Sequence, residues 1–112
     1  MSVPMLNRKL VLEGQTRNSD GAGGHRLSWI ALGEIWAEIT PGTGVERAGE
    51  FVTLASVPMK IVVRAAPEGS PRRPGPEQRF REGGRVYRIL AVTEYDARGH
   101  YLTCFAREEV VS

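Results

Sequence analysis

Trp29-Ile-Ala-Leu-Gly-Glu-Ile-Trp-Ala-Glu-Ile-Thr40 is the most apolar long stretch of this 112-residue sequence, and it holds both tryptophans. In its second half apolar residues alternate with polar or aromatic ones, which predicts a half-buried strand. One face of this strand would carry Ile35, Ala37 and Ile39, and the other Glu34, Trp36, Glu38 and Thr40.

A helix is the competing interpretation of the same stretch, because the two tryptophans and the leucine between them recur at helical spacing. Gly33 would weaken a helix interior, and the pair Pro41-Gly42 suits the end of a strand. A strand is therefore predicted for residues 34–40, while residues 29–32 stay open between helix and strand.

Other stretches with apolar alternation, or with apolar residues on both faces, predict further strands. These are residues 6–13, 57–65, 78–81, 85–94 and 100–107. In the fourth of them Tyr87, Ile89 and Ala91 are expected to lie opposite Val86, Leu90 and Val92. By contrast, residues 14–26 are polar and glycine-rich, and they predict a flexible connection instead of a strand.

Two long loops are expected. Residues 42–56 place some apolar residues at helical spacing but include Gly44 and Gly49, so at most one helical turn is predicted there. Residues 66–77 contain four prolines, which cannot donate to a sheet, and predict an exposed, semi-extended loop. The fold class is mainly β: one domain over residues 1–112, a small antiparallel barrel or sandwich of five to six strands.

Whole-chain properties exclude several classes of protein. The net charge of +2 is too small by itself to indicate a nucleic-acid or membrane binder. A single cysteine excludes an internal disulfide. No signal peptide is expected, and no run approaches the ~20 apolar residues that cross a bilayer. We expect the protein to stay soluble in the compartment where it is made.

The sequence offers no recognisable catalytic constellation. No glycine-rich loop ends in Gly-Lys-Ser/Thr, and His25 and His100 lie far apart, in or beside turns. Cys104 occupies an apolar strand position, which predicts a buried thiol and not a nucleophile. We therefore nominate no catalytic, cofactor-binding or metal-binding residue, and we expect no cofactor.

Two features suggest contact with a partner. Six arginines fall within residues 72–88 and could contact phosphates or an acidic protein surface. A solubilising loop balanced by Glu68, Glu77 and Glu82 is the favoured interpretation of this cluster. The second feature is Trp36, which is either an exposed interface anchor or part of the core.

The order of several short motifs resembles the phage head–tail joining proteins, also called head-closure or stopper proteins, of long-tailed phages and phage-derived gene transfer agents. The motifs are Arg8, Asp20-Gly-Ala-Gly-Gly24, Trp29, Trp36-Ala-Glu-Ile39, Gly44-Val-Glu46, Ile61-Val-Val-Arg64, Tyr87-Arg-Ile89 with Val92, and Leu102-Thr-Cys104. Two departures are Ala65, where the family often has an aromatic residue, and a long segment at residues 66–77.

This resemblance implies a barrel-like, non-enzymatic virion protein that forms a ring below the portal and adaptor, closes the DNA-filled head and docks the tail. The implied partners are copies of itself, the adaptor or portal complex, the tail terminator or tail tube, and double-stranded DNA in the channel, with no membrane. The implied location is the neck of the particle, assembled in the bacterial cytoplasm. Residues 42–56 and 66–77 are candidate assembly arms.

Site residues follow from this interpretation. The candidate subunit or partner interface comprises Trp36, Val45, Glu46, Phe51, Val52 and Arg64. The candidate DNA-facing residues are Arg72, Arg73, Arg79 and Arg81.

Two alternative functions stay open. A small nucleic-acid-binding barrel of the OB type would use Trp36, Tyr87, Tyr101 and arginines as a stacking groove, although aromatics are sparse. A tail terminator or other neck protein is the closer rival, because it would share the mostly β pattern.

Overall fold

The alternating pattern forms six antiparallel strands in the computed structural model of the protein, which describes residues 3–19, 21–42 and 56–109. The strands are β1 (Arg8–Ser19), β2 (His25–Pro41), β3 (Ser56–Arg64), β4 (Arg79–Glu82), β5 (Arg85–Glu94) and β6 (Tyr101–Glu109). They close into a barrel in the order β1-β2-β3-β6-β5-β4. The described residues contain no helix. The predicted mainly β class is confirmed, and the helical interpretation of the tryptophan stretch is wrong.

Side chains at every other position of the strands meet inside the barrel and form its core. The buried cluster comprises Leu10, Leu12, Ala37, Ile61, Val63, Phe80, Tyr87, Ile89, Leu102, Cys104 and Ala106. Ile35 and Ile39 pack against this cluster, which confirms the predicted inner face of β2. Removing this apolar surface from water is the main term that stabilises the barrel, at roughly 25 cal/mol for each Å² buried.

A β-bulge in β5 changes the face that the sequence predicts for one residue. The pairing of β5 with β6 shifts between Ile89 and Ala91, so Leu90 is the extra residue. Leu90 and Ala91 are exposed, while Val92 packs against the core. The expectation that Ala91 lies on the same face as Ile89 is therefore wrong, because strict alternation ends at the bulge.

A long β-hairpin extends from the barrel where the sequence predicted a flexible connection. β1 continues to Ser19 and pairs with β2 from His25 onward, whereas β4 pairs with β1 only at Val11–Glu13. Residues 14–19 and 25–30 are thus a two-stranded ribbon, called here the hairpin arm. The tight turn needs Gly21 and Gly23, whose φ angles of 80° and 86° favour glycine. The prediction of a flexible connection over residues 14–26 is wrong for most of its length.

The antiparallel order places the connections between strands at two opposite ends of the barrel. The hairpin arm and the connection from β3 to β4 emerge at one end. At the other end the chain leaves β2 at Gly42 and returns at Ser56. Most of the predicted loop 42–56 lies outside the described residues.

The loop at residues 66–77 folds back on itself through turns. The Ser70 amide donates to the Pro67 carbonyl at 3.0 Å, and the Arg73 amide donates to the Ser70 carbonyl at 3.0 Å. The Arg73 guanidinium donates to the Ala66 carbonyl at 2.8 Å, and Pro74 is buried. The loop is therefore more compact than the predicted semi-extended form.

No helix of the described residues could span a membrane.

Candidate docking site

A cleft of about 680 Å³ opens on the surface between the middle of β2 and the start of the β3–β4 loop. We call it the docking cleft. Its walls include Leu6, Glu34, Ile35, Trp36, Arg64, Ala65, Ala66, Pro67, Ser70 and Arg72. The cleft therefore combines apolar side chains with two arginines and one glutamate.

The docking cleft exists because β2 changes its pairing partner at Ala37. Before Ala37, β2 pairs with β1, and from Ala37 to Pro41 it pairs with β3. The register Ala37–Val63 would bring Arg64 opposite Trp36, but the chain diverges there and the Ala65 amide donates to the His100 carbonyl at 2.9 Å. Among the described residues, no strand covers the second side of β2 over residues 25–36, which we call the open edge.

Trp36 stands at the margin of this open edge. It lies on the outer face of β2 and is 54% exposed, while its neighbour Ile35 packs against the core. The core interpretation of Trp36 is therefore wrong, and its role as an interface anchor stays a prediction. An exposed tryptophan beside a cleft provides a large apolar surface at low entropic cost to a partner.

The charges of the docking cleft are unbalanced towards positive. Arg64 lies over the Tyr101 ring, with its guanidinium carbon 5.8 Å from the ring centroid. The Arg72 side chain packs over the backbone of Gly33. Within the described part of the chain, neither arginine has an ion-pair partner, whereas Glu34 lies 3.7 Å from the Lys9 ammonium. The docking cleft therefore contains two guanidinium groups whose positive charge is not paired with a carboxylate of the described residues.

Only part of the predicted interface can be located. The structure brings Trp36 and Arg64 to one cleft and adds Arg72, which the sequence had assigned to DNA contact. The other four predicted interface residues lie outside the described residues. They are Val45, Glu46, Phe51 and Val52.

Two of the predicted DNA-facing arginines take part in an ionic cluster on the outer face of the barrel. Glu13 is 2% exposed and accepts from Arg79 Nε at 2.7 Å, while its second oxygen lies 2.6 Å from an Arg81 guanidinium nitrogen. The Arg79 guanidinium carbon lies 4.1 Å from the centroid of the Trp29 ring. We call these residues the Glu13 cluster; it ties the hairpin arm to β4. Arg79 and Arg81 therefore share the single negative charge of Glu13. Arg73, a third candidate, donates a hydrogen bond to the Ala66 carbonyl.

A second ionic network, between Arg8, Glu82, Arg85 and Glu108, lies at the opposite end of the barrel from the hairpin arm. Arg8 donates two hydrogen bonds to Glu82, at 2.6 and 2.7 Å, and Arg85 donates two to Glu108, at 2.7 and 2.9 Å. These bonds hold the pKa of both carboxyl groups below the ordinary value. Three carboxylates were predicted to balance the arginine cluster, and of these only Glu82 forms an ion pair between described residues. The ion pairs of Glu13 and Glu108 were not predicted.

The residues considered for catalysis show no arrangement that supports it. Burial raises the pKa of the Cys104 thiol to about 12, so the thiol stays protonated near neutral pH. His25 and His100 are both exposed, and no group of three metal-binding side chains occurs among the described residues. The stacking groove of the OB-type alternative is contradicted at one position, because Tyr87 is fully buried.

The protein is thus a small closed β-barrel with an open strand edge and a cleft that is both apolar and charged. The family model described as phage head completion protein matches residues 1–109, and the chain belongs to this family. No curated protein matches the sequence.

A solved structure extends this likeness to three dimensions. A chain in the structure titled "Virion of native gene transfer agent (GTA) particle" is 72% identical, with a TM-score of 0.80. The match covers 98% of this chain and 100% of that chain. The predicted resemblance and the predicted location in a virion are both confirmed.

Proposed function

We propose that the protein is a structural component of the head–tail connector, where it forms a ring below the portal and adaptor complex. In this position it closes the DNA-filled head and provides the surface on which the tail docks. The observation that carries the proposal is the match of residues 1–109 to the head completion family.

The distribution of surface features supports a role between two neighbours. The hairpin arm and the loop at residues 66–77 share one end of the barrel, and the docking cleft lies beside the middle of β2. At the other end the chain leaves β2 at Gly42 and returns at Ser56. A connector subunit must contact components on both its head side and its tail side. A barrel with a rigid core and connections at both ends can present a separate surface to each.

Residues 42–56 and 66–77 are proposed as the assembly arms, one at each end. A neighbouring subunit packed against either loop would cover its backbone and shield it from a protease. The measurement is limited proteolysis of both loops in free protein and in assembled particles. Lower cleavage in particles is expected, and equal cleavage in both states would contradict the arm assignment.

Contact of Arg72, Arg73, Arg79 and Arg81 with DNA stays a prediction. A conduit through which a duplex must slide is not helped by strong, uniform positive charge, because every neutralised phosphate adds to the affinity. Pairing of Arg79 and Arg81 with Glu13 reduces that charge. The test is the variant with both Arg72→Ala and Arg73→Ala, and unchanged retention of DNA in particles would exclude a contact by these two arginines.

The experiment for the proposed function removes the gene from a producing strain and examines the particles. We expect heads that are filled or leaking DNA and that lack tails, with tailed particles restored by a plasmid copy of the gene. Particles with attached tails of abnormal length would instead indicate a tail terminator. Native mass spectrometry of the isolated neck should show a closed ring containing several copies of this chain.

A further inference from the structure

We infer that the docking cleft and the open edge of β2 form a slot for an extended, acidic segment of a neighbouring virion protein. The segment would add to the sheet as a strand beside β2, with its carboxylates against Arg64 and Arg72. This inference deepens the proposed connector function, on which it rests, by assigning one contact surface and the chemistry of its partner.

The backbone of β2 is open to a further strand along much of its length. Over residues 25–36 this strand is paired with β1 on one side only, within the part of the chain that the structure describes. An unpaired edge presents a row of N–H and C=O groups that another strand can bind. Addition of an extended peptide to such an edge is a common mode of recognition, in which backbone hydrogen bonds provide affinity.

The space beside that edge can hold a further strand. β3 pairs with β2 as far as the register Ala37–Val63, and then the chain turns towards His100. No strand of the described residues takes the position that a continued β3 would have, and the docking cleft lies there. A two-stranded ribbon such as the hairpin arm is only marginally stable alone in water, so a third strand along it would also stabilise it.

The walls of the docking cleft combine apolar and cationic side chains. Trp36 and Ile35 provide apolar contacts, while Arg64 and Arg72 have no ion-pair partner among the described residues. Guanidinium groups bind carboxylates through two parallel hydrogen bonds. A segment that carries both apolar and acidic side chains would satisfy both requirements, because a strand presents side chains to both sides of the sheet.

Duplex DNA fits this slot less well than a peptide does. A phosphate backbone has no N–H donors to pair with the carbonyl groups of the open edge. An acidic peptide supplies both N–H donors and C=O acceptors in alternation along its backbone. Glu34 does not discriminate between the two, because it would repel either anion and lies 3.7 Å from the Lys9 ammonium in both cases. The observations therefore favour a protein segment.

The test uses the full chain and a synthetic eight-residue peptide that alternates valine and glutamate, with a valine–lysine peptide as the matched probe. Binding is followed by ¹⁵N NMR and by amide hydrogen exchange. We expect the acidic peptide alone to bind, with slowed exchange at alternate amides of residues 25–36. Arg64→Ala and Arg72→Ala should each weaken binding about tenfold. Arg98→Ala, at an exposed arginine of the β5–β6 turn, is the control and should leave binding unchanged.

Several results would overturn the inference. One is equal binding of the two peptides, and another is the absence of any binding or of protection at β2. Displacement of the peptide by short duplex DNA would assign the slot to nucleic acid. Protection of the open edge in concentrated protein alone would assign it to a second copy. If the peptide binds only after residues 43–55 are replaced by a glycine–serine linker, the slot belongs to that segment of the same chain. Loss of tails from particles that lack the gene tests the connector function and does not depend on peptide binding. The proposed connector function and the proposed slot can therefore be disproved separately.

Discussion

Strands β6 and β2 have similar apolar character, but they are used in opposite ways. β6 pairs with β3 along its whole length and with β5 along almost all of it, and four of its nine residues are buried. β2 is almost twice as long, at 17 residues, yet only Ala37 is buried. Among the residues that the structure describes, Ala37 alone in β2 has strand partners on both sides. Stability is therefore concentrated in the closed part of the barrel, whereas β2 extends the sheet outward beyond that part.

The largest effect is expected from Leu102→Ala in β6. Leu102 is 2% exposed, so the substitution removes buried apolar contacts and leaves a cavity. We expect a loss of about 3 kcal/mol in the free energy of unfolding. Urea unfolding monitored by circular dichroism measures it, and a loss below about 1 kcal/mol would show that β6 is not central to stability.

A smaller effect is expected from Glu13→Gln, which breaks the Glu13 cluster between the hairpin arm and β4. The carboxylate is buried and accepts from Arg79 at 2.7 Å, while the arginines can partly reach water. The expected cost is about 2 kcal/mol, typical of hydrogen bonds to charged groups. Amide exchange should also become faster in residues 14–19 and 25–30, and unchanged exchange there would contradict the anchoring role of the cluster.

Acid should weaken the end of the barrel opposite to the hairpin arm. Hydrogen bonds from Arg8 and Arg85 lower the pKa of Glu82 and Glu108 in the folded protein, relative to an ordinary value of 4.5. Because the folded state binds these protons less readily, their stabilisation is complete above that ordinary value and is lost as pH falls through the lowered folded pKa values. The side chains are partly exposed, so we expect less than about 1 kcal/mol for each pair.

Urea unfolding between pH 7 and pH 3 measures this dependence. In the variant with both Glu82→Gln and Glu108→Gln, the loss of stability in acid should be smaller than in the wild type. An identical pH profile in wild type and variant would show that other carboxyl groups cause the acid sensitivity.

The smallest effect is expected from Leu27→Ala on the hairpin arm, the counterpart of Leu102→Ala. Leu27 is 57% exposed, so its truncation should change the free energy of unfolding by less than about 0.5 kcal/mol. If the arm contacts a partner, the same variant should reduce the yield of tailed particles. A destabilisation similar to that of Leu102→Ala would remove the distinction between β2 and β6.

The sequence predicts strands wherever one face is buried, because burial requires alternation of apolar residues. This is why the inner face of β2, the bounds of β5 and the pairing of β6 as its hairpin partner were all anticipated. The bulge at Leu90 was not anticipated. Because β5 is apolar on both faces, an extra residue does not change its pattern of apolar residues.

The hairpin arm could not be inferred from periodicity. Its strand residues, such as Gln15 and Arg17, have water on both sides, so no apolar alternation is required of them. The glycines of the turn at residues 21–24 suggested flexibility for the whole segment, although they only close the hairpin. Glu13 was missed for a different reason: its main partner, Arg79, is 66 residues away in sequence.

The buried thiol of Cys104 has a practical consequence. It is the one cysteine of the chain, and both its enclosure in the core and its high pKa make it inert to maleimide reagents in the folded state. A cysteine introduced at an exposed position would therefore be labelled alone, without replacing the native residue. Fluorescent dyes or spin probes can thus report on how the barrel is oriented inside an intact particle.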